Sequence, residues 1–429
     1  MATHTTEILV VAALMLVHLA IGLPLFAVLA LGSIGLIAVT GAYSYDSLGT
    51  TLFSAVDSWA LLALPLFILV GDVMSRGRMA EDLVALGEAV VGWIRGGLGM
   101  VTIFSCFVIS GTSGSATADT ATIGKIMVPT LKQRGYDPSY AAALAASGGV
   151  LGPIVPPSII FIVYGIATST SVGDLFIGGV VPGIMFAAAL CATHYAICRF
   201  GTWGVSDRSP FSGKRALQAL WGAKYGLGAP VLIIGGIYGG VFTPTEAAAV
   251  ALAYVLAVEV LINRALGMRD IAQALVSSAK ISGTLIPVIA FSVLFGEVLA
   301  VLHVPASLVN WFTGFGLGFA GSVVMILLLL LLVGCFLEPI AAVLVIMPVL
   351  LPIARQLGFD DVHFGVFVVC VLSVGLIHPP VGMNLFAAAA VSGEPFMRIG
   401  LRAVPSFVAL VAMCAVVAAL PVTVLWFRG

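Results

Sequence analysis

Charge is scarce in this chain. Its 429 residues include 18 Lys and Arg and 19 Asp and Glu, 9% in all, where soluble domains carry about 25%. So few charges cannot coat a water-exposed surface of this size, which excludes a soluble globular core, and the hydrophobic excess excludes a disordered chain. A net charge of −1 excludes a nucleic-acid binder. Cysteine pairs are lacking as well. Cys106, Cys191, Cys198, Cys335, Cys370 and Cys414 lie in apolar stretches without C-x-x-C spacing, so they read as small buried hydrophobes rather than disulfides or metal ligands. No H-E-x-x-H, P-loop or dinucleotide fingerprint occurs, so energy must come from an ion gradient or a partner. Segments of about ten residues alternating apolar and polar are missing too, which excludes a membrane β-barrel. What remains is apolar: 61% hydrophobic residues and a mean hydropathy of +1.19. The prediction is an all-α polytopic membrane protein.

Windows free of Asp, Glu, Lys and Arg run over 8–45, 96–118, 138–173, 175–198, 225–245, 298–337, 362–393 and 403–427. A spanning helix needs about 20 apolar residues, so the windows of 36 and 40 residues must be broken, tilted or folded back. No Lys or Arg precedes Ile8 and Leu9, which favours a retained first helix over a cleaved signal peptide. The turn Gly22-Leu23-Pro24 is expected to split the first window in two. Placing Arg76, Arg78, Arg95, Lys132, Arg134, Arg199, Arg208, Lys214, Arg215, Lys224, Arg264, Arg269, Lys280, Arg398 and Arg402 in the cytoplasm accounts for 15 of the 18 basic residues. Arg355 and Arg428 fall outside, and Lys125 lies in an apolar segment. This orientation requires 96–135 to enter and leave from the cytoplasm as a re-entrant hairpin, and 321–357 to do so from the opposite side.

The chain also repeats itself. A shift of 223 residues aligns Gly111 with Gly334, Pro129 with Pro352, Gln133 with Gln356, Gly135 with Gly358, Asp137 with Asp360, Gly152 with Gly375, and Pro156-Pro157 with Pro379-Pro380. Over 111–157 there are 11 identities in 47 positions, against roughly four expected for this composition. Leu64-Pro65 and Gly71-Asp72 find partners in Ile286-Pro287 and Gly296-Glu297 at slightly different shifts. Each half would hold five crossings and one hairpin; five is odd, so the two repeats are expected to be inverted. Inverted repeats with interrupted helices are how many secondary transporters are built. Gly152-Pro153-Ile154-Val155-Pro156-Pro157 and Gly375-Leu376-Ile377-His378-Pro379-Pro380 cannot continue a helix. Each is expected to be an unwound turn near the midplane, the alternative being a simple proline kink.

The most polar stretch within any apolar window is Ser110-Gly111-Thr112-Ser113-Gly114-Ser115-Ala116-Thr117-Ala118-Asp119-Thr120. Hydroxyls and freed carbonyls at a hairpin tip supply oxygen ligands for a hard cation such as sodium, or else small residues there simply pack closely. Asp119 would neutralise the cation or hold the tip, and Glu338, the lone acid between Glu297 and Asp360, occupies corresponding ground in the second hairpin. Lys125 anchors a carboxylate-bearing solute or pairs with Asp119. Asn384, after the second break, helps hold an anion or caps a helix. His378 carries protons or is structural. The string Gly111-Thr112-Ser113-Gly114 matches the G-x-S-G of rhomboid-type intramembrane serine proteases, a remote alternative, since a triad is known by geometry rather than by a short string.

These runs resemble a known family. SGTSGSATADTATIGKIMVP, GYDPSYAAALAASGGVLGPIVPPSIIFIVYG, LEPIAAVLVIMPVLLPIA and HPPVGMNLF are similar to the large membrane subunit of TRAP (tripartite ATP-independent periplasmic) transporters, the DctM-like family, over essentially the whole chain. The resemblance implies a bacterial or archaeal inner-membrane protein of the ion-transporter superfamily, working as an elevator and coupled to Na+. It also implies a separate small four-helix membrane subunit (DctQ-like), a periplasmic substrate-binding protein (DctP-like) and surrounding membrane lipid. The solute would be a small organic anion such as a C4-dicarboxylate or other carboxylate. Carried over by position, one sodium site would involve Ser110, Thr112, Ser113, Ser115, Ser147, Gly148, Gly149, Gly152, Pro153 and Pro156. Its twin would involve Gly334, Glu338, Gly375, Pro379, Gly382 and Asn384. Substrate would lie between them, at Ser113, Asp119, Lys125, Ser158 and Asn384. His378 stands before the second Pro-Pro where the family often has Thr, which leaves backbone ligands there. In this scheme 1–58 are scaffold helices, 59–199 and 281–392 transport elements, 200–280 a cytoplasmic loop and further scaffold, and 393–429 a C-terminal helix. A stand-alone sodium/carboxylate symporter or exchanger of the same superfamily is the alternative.

Overall fold

The computed structural model describes residues 4–201, 212–379 and 381–428. Arg208, Pro380 and the side chain of Thr112 lie outside the described residues. All regular structure among those described is helical, in twenty α-helices, and eight helices are long and apolar enough to cross a membrane.

The chain opens with α1 (Thr5–Ala20) and α2 (Leu25–Thr40), parted at Gly22-Leu23-Pro24, then α3 (Tyr45–Val56), α4 (Trp59–Arg76) and α5 (Met79–Val91). A hairpin follows, α6 (Gly97–Ser113) and α7 (Ala116–Gln133). Next come an interrupted helix, α8 (Pro138–Gly149) and α9 (Ile159–Thr168), and the long α10 (Val172–Phe200). After α11 (Gly213–Tyr238), α12 (Pro244–Leu256) runs on into a π-helical turn at Ala257–Ile262, and α13 (Met268–Val301) and α14 (Val304–Thr313) follow. The earlier order then recurs: hairpin α15 (Phe319–Phe336) and α16 (Pro339–Gln356), interrupted helix α17 (Asp361–Gly375) and α18 (Met383–Ser392), long α19 (Phe396–Ala419), and a final turn α20 (Val422–Leu425). Four helix ends coincide at the shift of 223 residues: Ser113 with Phe336, Ala116 with Pro339, Gln133 with Gln356, Pro138 with Asp361.

Local chemistry explains these ends. Asp137 caps α8 by accepting from the Tyr140 N–H at 2.8 Å, and its repeat partner Asp360 caps α17 by accepting from Val362 N–H at 2.9 Å. The first hairpin turns at Gly114, whose φ of +59° is left-handed and suits glycine. The second turns through an extended Leu337, with Glu338 as N-cap and Pro339 at the first helical position. The two N-terminal limbs of the interrupted helices form the centre of the molecule. Every residue of α8 after Pro138, and every residue of α17 from Val362 on, is buried, as a helix surrounded on all sides must be. The Ala-, Ser- and Gly-rich sequence of α8 lets α6, α7, α18 and α19 approach its backbone closely.

One packing feature crosses between the two halves. The second limb of each interrupted helix lies against the other half: α9 packs on α16 and α17, and α18 packs on α7 and α8. Polar contacts pin both crossings. Tyr164 of α9 donates to the Asp361 carbonyl at 2.9 Å. Lys132 of α7 donates to the Ser392 carbonyl at 3.0 Å and pairs with Glu394 at 3.2 Å.

Candidate functional site

The two hairpin tips and the two helix breaks meet around one cavity of about 500 Å³. Ser113 to Asp119 line it from the first tip and Glu338 to Ile340 from the second; Pro153, Ile159, Leu376 and Met383 come from the breaks. Asp72 and Ser75 of α4, and Ser277 and Thr284 of α13, close the remaining sides. The first residues of α7, α9, α16 and α18 all lie in this wall, so four helix N-termini, the positive ends of their dipoles, converge on it. Side-chain oxygens cap α9 (Ser158, accepting from Phe161 N–H at 3.4 Å) and α16 (Glu338, accepting from Ile340 and Ala341 N–H at 3.0 and 3.2 Å). The N-termini of α7 and α18 have no side-chain cap.

At the first tip, Asp119 is fully buried, with one carboxylate oxygen accepting from Ser110 at 2.8 Å and the other from Ser113. These two charge-assisted bonds brace the hairpin across its turn. The serine of the G-x-S-G string is thus engaged with a carboxylate inside the tip. Backbone closeness joins the tip to the first break: a Cβ on Gly152 would stand 2.8 Å from Ala116 N and 2.9 Å from an Asp119 oxygen. One on Gly149 would reach the Thr120 hydroxyl at 2.0 Å, and one on Gly148 the Cys106 sulfur at 2.7 Å. Ser115 and Pro153 face the cavity, while Pro156 is buried with its carbonyl behind Gly111. The second tip meets the second break backbone to backbone, since a Cβ on Gly375 would stand 2.6 Å from the Gly334 carbonyl carbon. A Cβ on Gly382 would press on the Leu376 carbonyl, and Pro379 sits beside Gly400.

Tertiary packing sets where Asn384 and Lys125 stand. Asn384, grouped above with the second break, reaches across to the first: its amide donates to the Ala146 carbonyl at 3.1 Å and would touch a Cβ on Gly149 at 3.1 Å. Its carbonyl oxygen is buried without a hydrogen-bond partner, as is the hydroxyl of Ser147 one residue beyond Ala146. Lys125 is exposed on α7, outside the cavity wall, and makes no ion pair with Asp119. His378 packs edge-on against Phe407 with ring centroids 4.8 Å apart. Sequence reasoning gave no role to Asp72, Ser75, Ser277 or Thr284, although an acid inside apolar α4 was the available signal for the first.

A family model described as tripartite ATP-independent periplasmic transporter, DctM component, matches residues 12–423. The chain belongs to the DctM family. It is thus a membrane subunit of a transport family, not an enzyme. This DctM-family chain is 37% identical over 378 residues to the C4-dicarboxylate TRAP transporter large permease protein DctM of Pseudomonas aeruginosa, covering 88% of each chain. It is 32% identical to the sialic acid TRAP transporter large permease protein SiaM of Vibrio cholerae, covering 93% of each. It is also 34% identical to the isethionate TRAP transporter permease protein DctMQ of Oleidesulfovibrio alaskensis, covering 96% of this chain but 65% of that protein's length. Among solved structures, the YdaH transporter of Alcanivorax borkumensis superposes with a TM-score of 0.64 at 14% identity, over 90% of this chain and 88% of that one. MtrF of Neisseria gonorrhoeae gives 0.63 at 14% identity, over 86% and 84%. These two likenesses show a shared fold.

Proposed function

We propose that this DctM-family subunit carries out sodium-coupled uptake of a small organic acid across a bacterial cytoplasmic membrane. The solute arrives from a periplasmic binding protein, and a small four-helix membrane subunit braces the scaffold. The observation that carries the reading is the single cavity where both tips and both breaks meet. Helix N-termini favour an anionic group on the solute; those of α7 and α18 have no side-chain cap, although at α18 the Asn384 N–H donates to the Leu376 carbonyl at 3.0 Å. Sodium suits the opposite helix ends, where α6, α8, α15 and α17 stop and their last carbonyls lose helical partners. The orphaned Ser147 hydroxyl and Asn384 carbonyl are oxygen donors of the kind a hard cation takes.

The two halves are read as inverted repeats, and the hairpins, interrupted helices, α10 and α19 as the body that moves in an elevator cycle. The names of three relatives, which carry C4-dicarboxylate, sialic acid and isethionate, have an organic acid in common. The test is uptake into proteoliposomes containing the partner subunits. Replacing sodium by choline at constant membrane potential should abolish uptake. Full uptake driven by a pH gradient alone would overturn sodium coupling and turn attention to Asp119, Glu338 and His378 as proton carriers.

A further inference from the structure

The cavity wall has an unusual balance of charge for a site that takes an acid. Among its described residues it holds three acids, Asp72, Asp119 and Glu338, and neither Lys nor Arg. Two of the acids already have structural work: Asp119 is held by Ser110 and Ser113, and Glu338 caps α16. Asp72 differs. Its Oδ1 accepts from Arg76 Nε at 2.8 Å, but its Oδ2 is enclosed without any hydrogen-bond donor. Gly71 beside it is pressed against the first tip, where a Cβ would stand 2.7 Å from the Ser113 Cα. Asp72 is therefore fixed against the tip on the α4 side of the cavity, with a fifth of its side chain exposed and Ser75 one turn away.

A carboxylate oxygen enclosed without a donor is costly, so a partner is expected when the site is loaded. We propose that Asp72 receives a cationic nitrogen of the transported solute, which makes the solute a zwitterion: an acid that also bears an amine. This rests on the transport reading above. The acidic end takes the helix N-termini around Ser115 to Thr117 and Met383, and the cationic end takes Asp72 with the hydroxyls of Ser75, Ser277 and Thr284.

The test is thermal unfolding of the purified transporter with its membrane partner, titrated with matched solutes that differ by one amine: L-aspartate against succinate, and taurine against ethanesulfonate. With sodium present, aspartate or taurine should stabilise the protein at concentrations about tenfold lower than its amine-free twin, as one lost charge-assisted hydrogen bond implies. Asp72→Asn should erase that preference while leaving stabilisation by sodium alone unchanged. Equal binding of the twins by the native protein overturns the proposal, and this comparison needs no variant. A weakened sodium titration in Asp72→Asn with the amine preference intact also overturns it, assigning the oxygen to an inorganic cation. Stabilisation by sodium but by none of the four solutes overturns the amine assignment and leaves the sodium reading standing. Loss of the sodium effect as well would remove the reading on which it rests.

Discussion

Adding one methyl group at Gly152 or Gly375 tests whether the close contacts between tips and breaks serve ion binding. Neither glycine has a left-handed φ, so the constraint is space rather than backbone conformation. At Gly375 the new Cβ would stand 2.6 Å from the Gly334 carbonyl carbon and 2.7 Å from its Cα, backbone atoms that cannot rotate away. At Gly152 the nearest atoms are Ala116 N at 2.8 Å, the Ser115 carbonyl carbon at 2.9 Å and an Asp119 oxygen at 2.9 Å, two of them backbone and the third held by Ser110. Overpacking of this kind costs about 1–3 kcal/mol. If that cost falls on the arrangement that binds sodium, the half-saturating sodium concentration for uptake rises about 5- to 150-fold in each variant. Gly283→Ala is the control, since nothing lies within 4 Å of its added Cβ. The assay is a sodium titration of uptake alongside melting curves with and without sodium. Two stable variants with native sodium curves would refute the reasoning. Lower stability with an unchanged sodium dependence would reduce the contacts to packing.

Three further outcomes are expected. A cysteine at Arg269 should label only from the cytoplasm and one at Ser47 only from outside, and periplasmic labelling at 269 would overturn the orientation read from the basic residues. Ser110→Ala with Ser113→Ala strips both hydrogen bonds from the buried Asp119, so the melting temperature should fall in line with a loss of about 3 kcal/mol or more, and adding Asp119→Asn should recover part of it. Glu259, fully buried in the π-helical turn, accepts from Met79 N–H at 2.8 Å, Arg78 N–H at 3.1 Å and Asn263 at 3.0 Å, and its carboxylate occupies the space beside Gly77. Glu259→Gln turns an acceptor into a donor facing those amides and should destabilise by about 1–3 kcal/mol; an unchanged melting temperature would contradict the cap.

The helix ends were legible because the residues that set them act over short range. Clustered proline and glycine at 22–24, 152–157 and 375–380 interrupt the helix there, whereas single prolines such as Pro65 and Pro182 are carried inside α4 and α10. Asp137 and Asp360 cap the helices that follow within three residues. The helical class followed from composition together with the lack of alternating segments, since a chain with so few charges must satisfy its backbone internally, in helices or in a closed barrel. Asp119 and Glu338, which end two of the apolar windows, were legible as exceptions, though their partners were not. Asp119 bonds two serines rather than Lys125, because the hairpin turn brings Ser110 and Ser113 onto it while six residues along α7 carry Lys125 to the exposed face.

By itself the sequence determined where helices begin, break and repeat, for those choices depend on each residue and its near neighbours. Only the tertiary structure decided which repeat each limb serves. That α18 lies against α7 and α8, carrying Asn384 to the Ala146 carbonyl, depends on packing between segments 238 residues apart. No local rule encodes it; it follows from the shape of α8, whose small side chains leave room on that face. The same holds for Asp72, which joins the cavity only because Gly71 lets α4 press against the first tip. Spacing along the chain could mark these residues as polar, but their function depends on what the folded helices set opposite them.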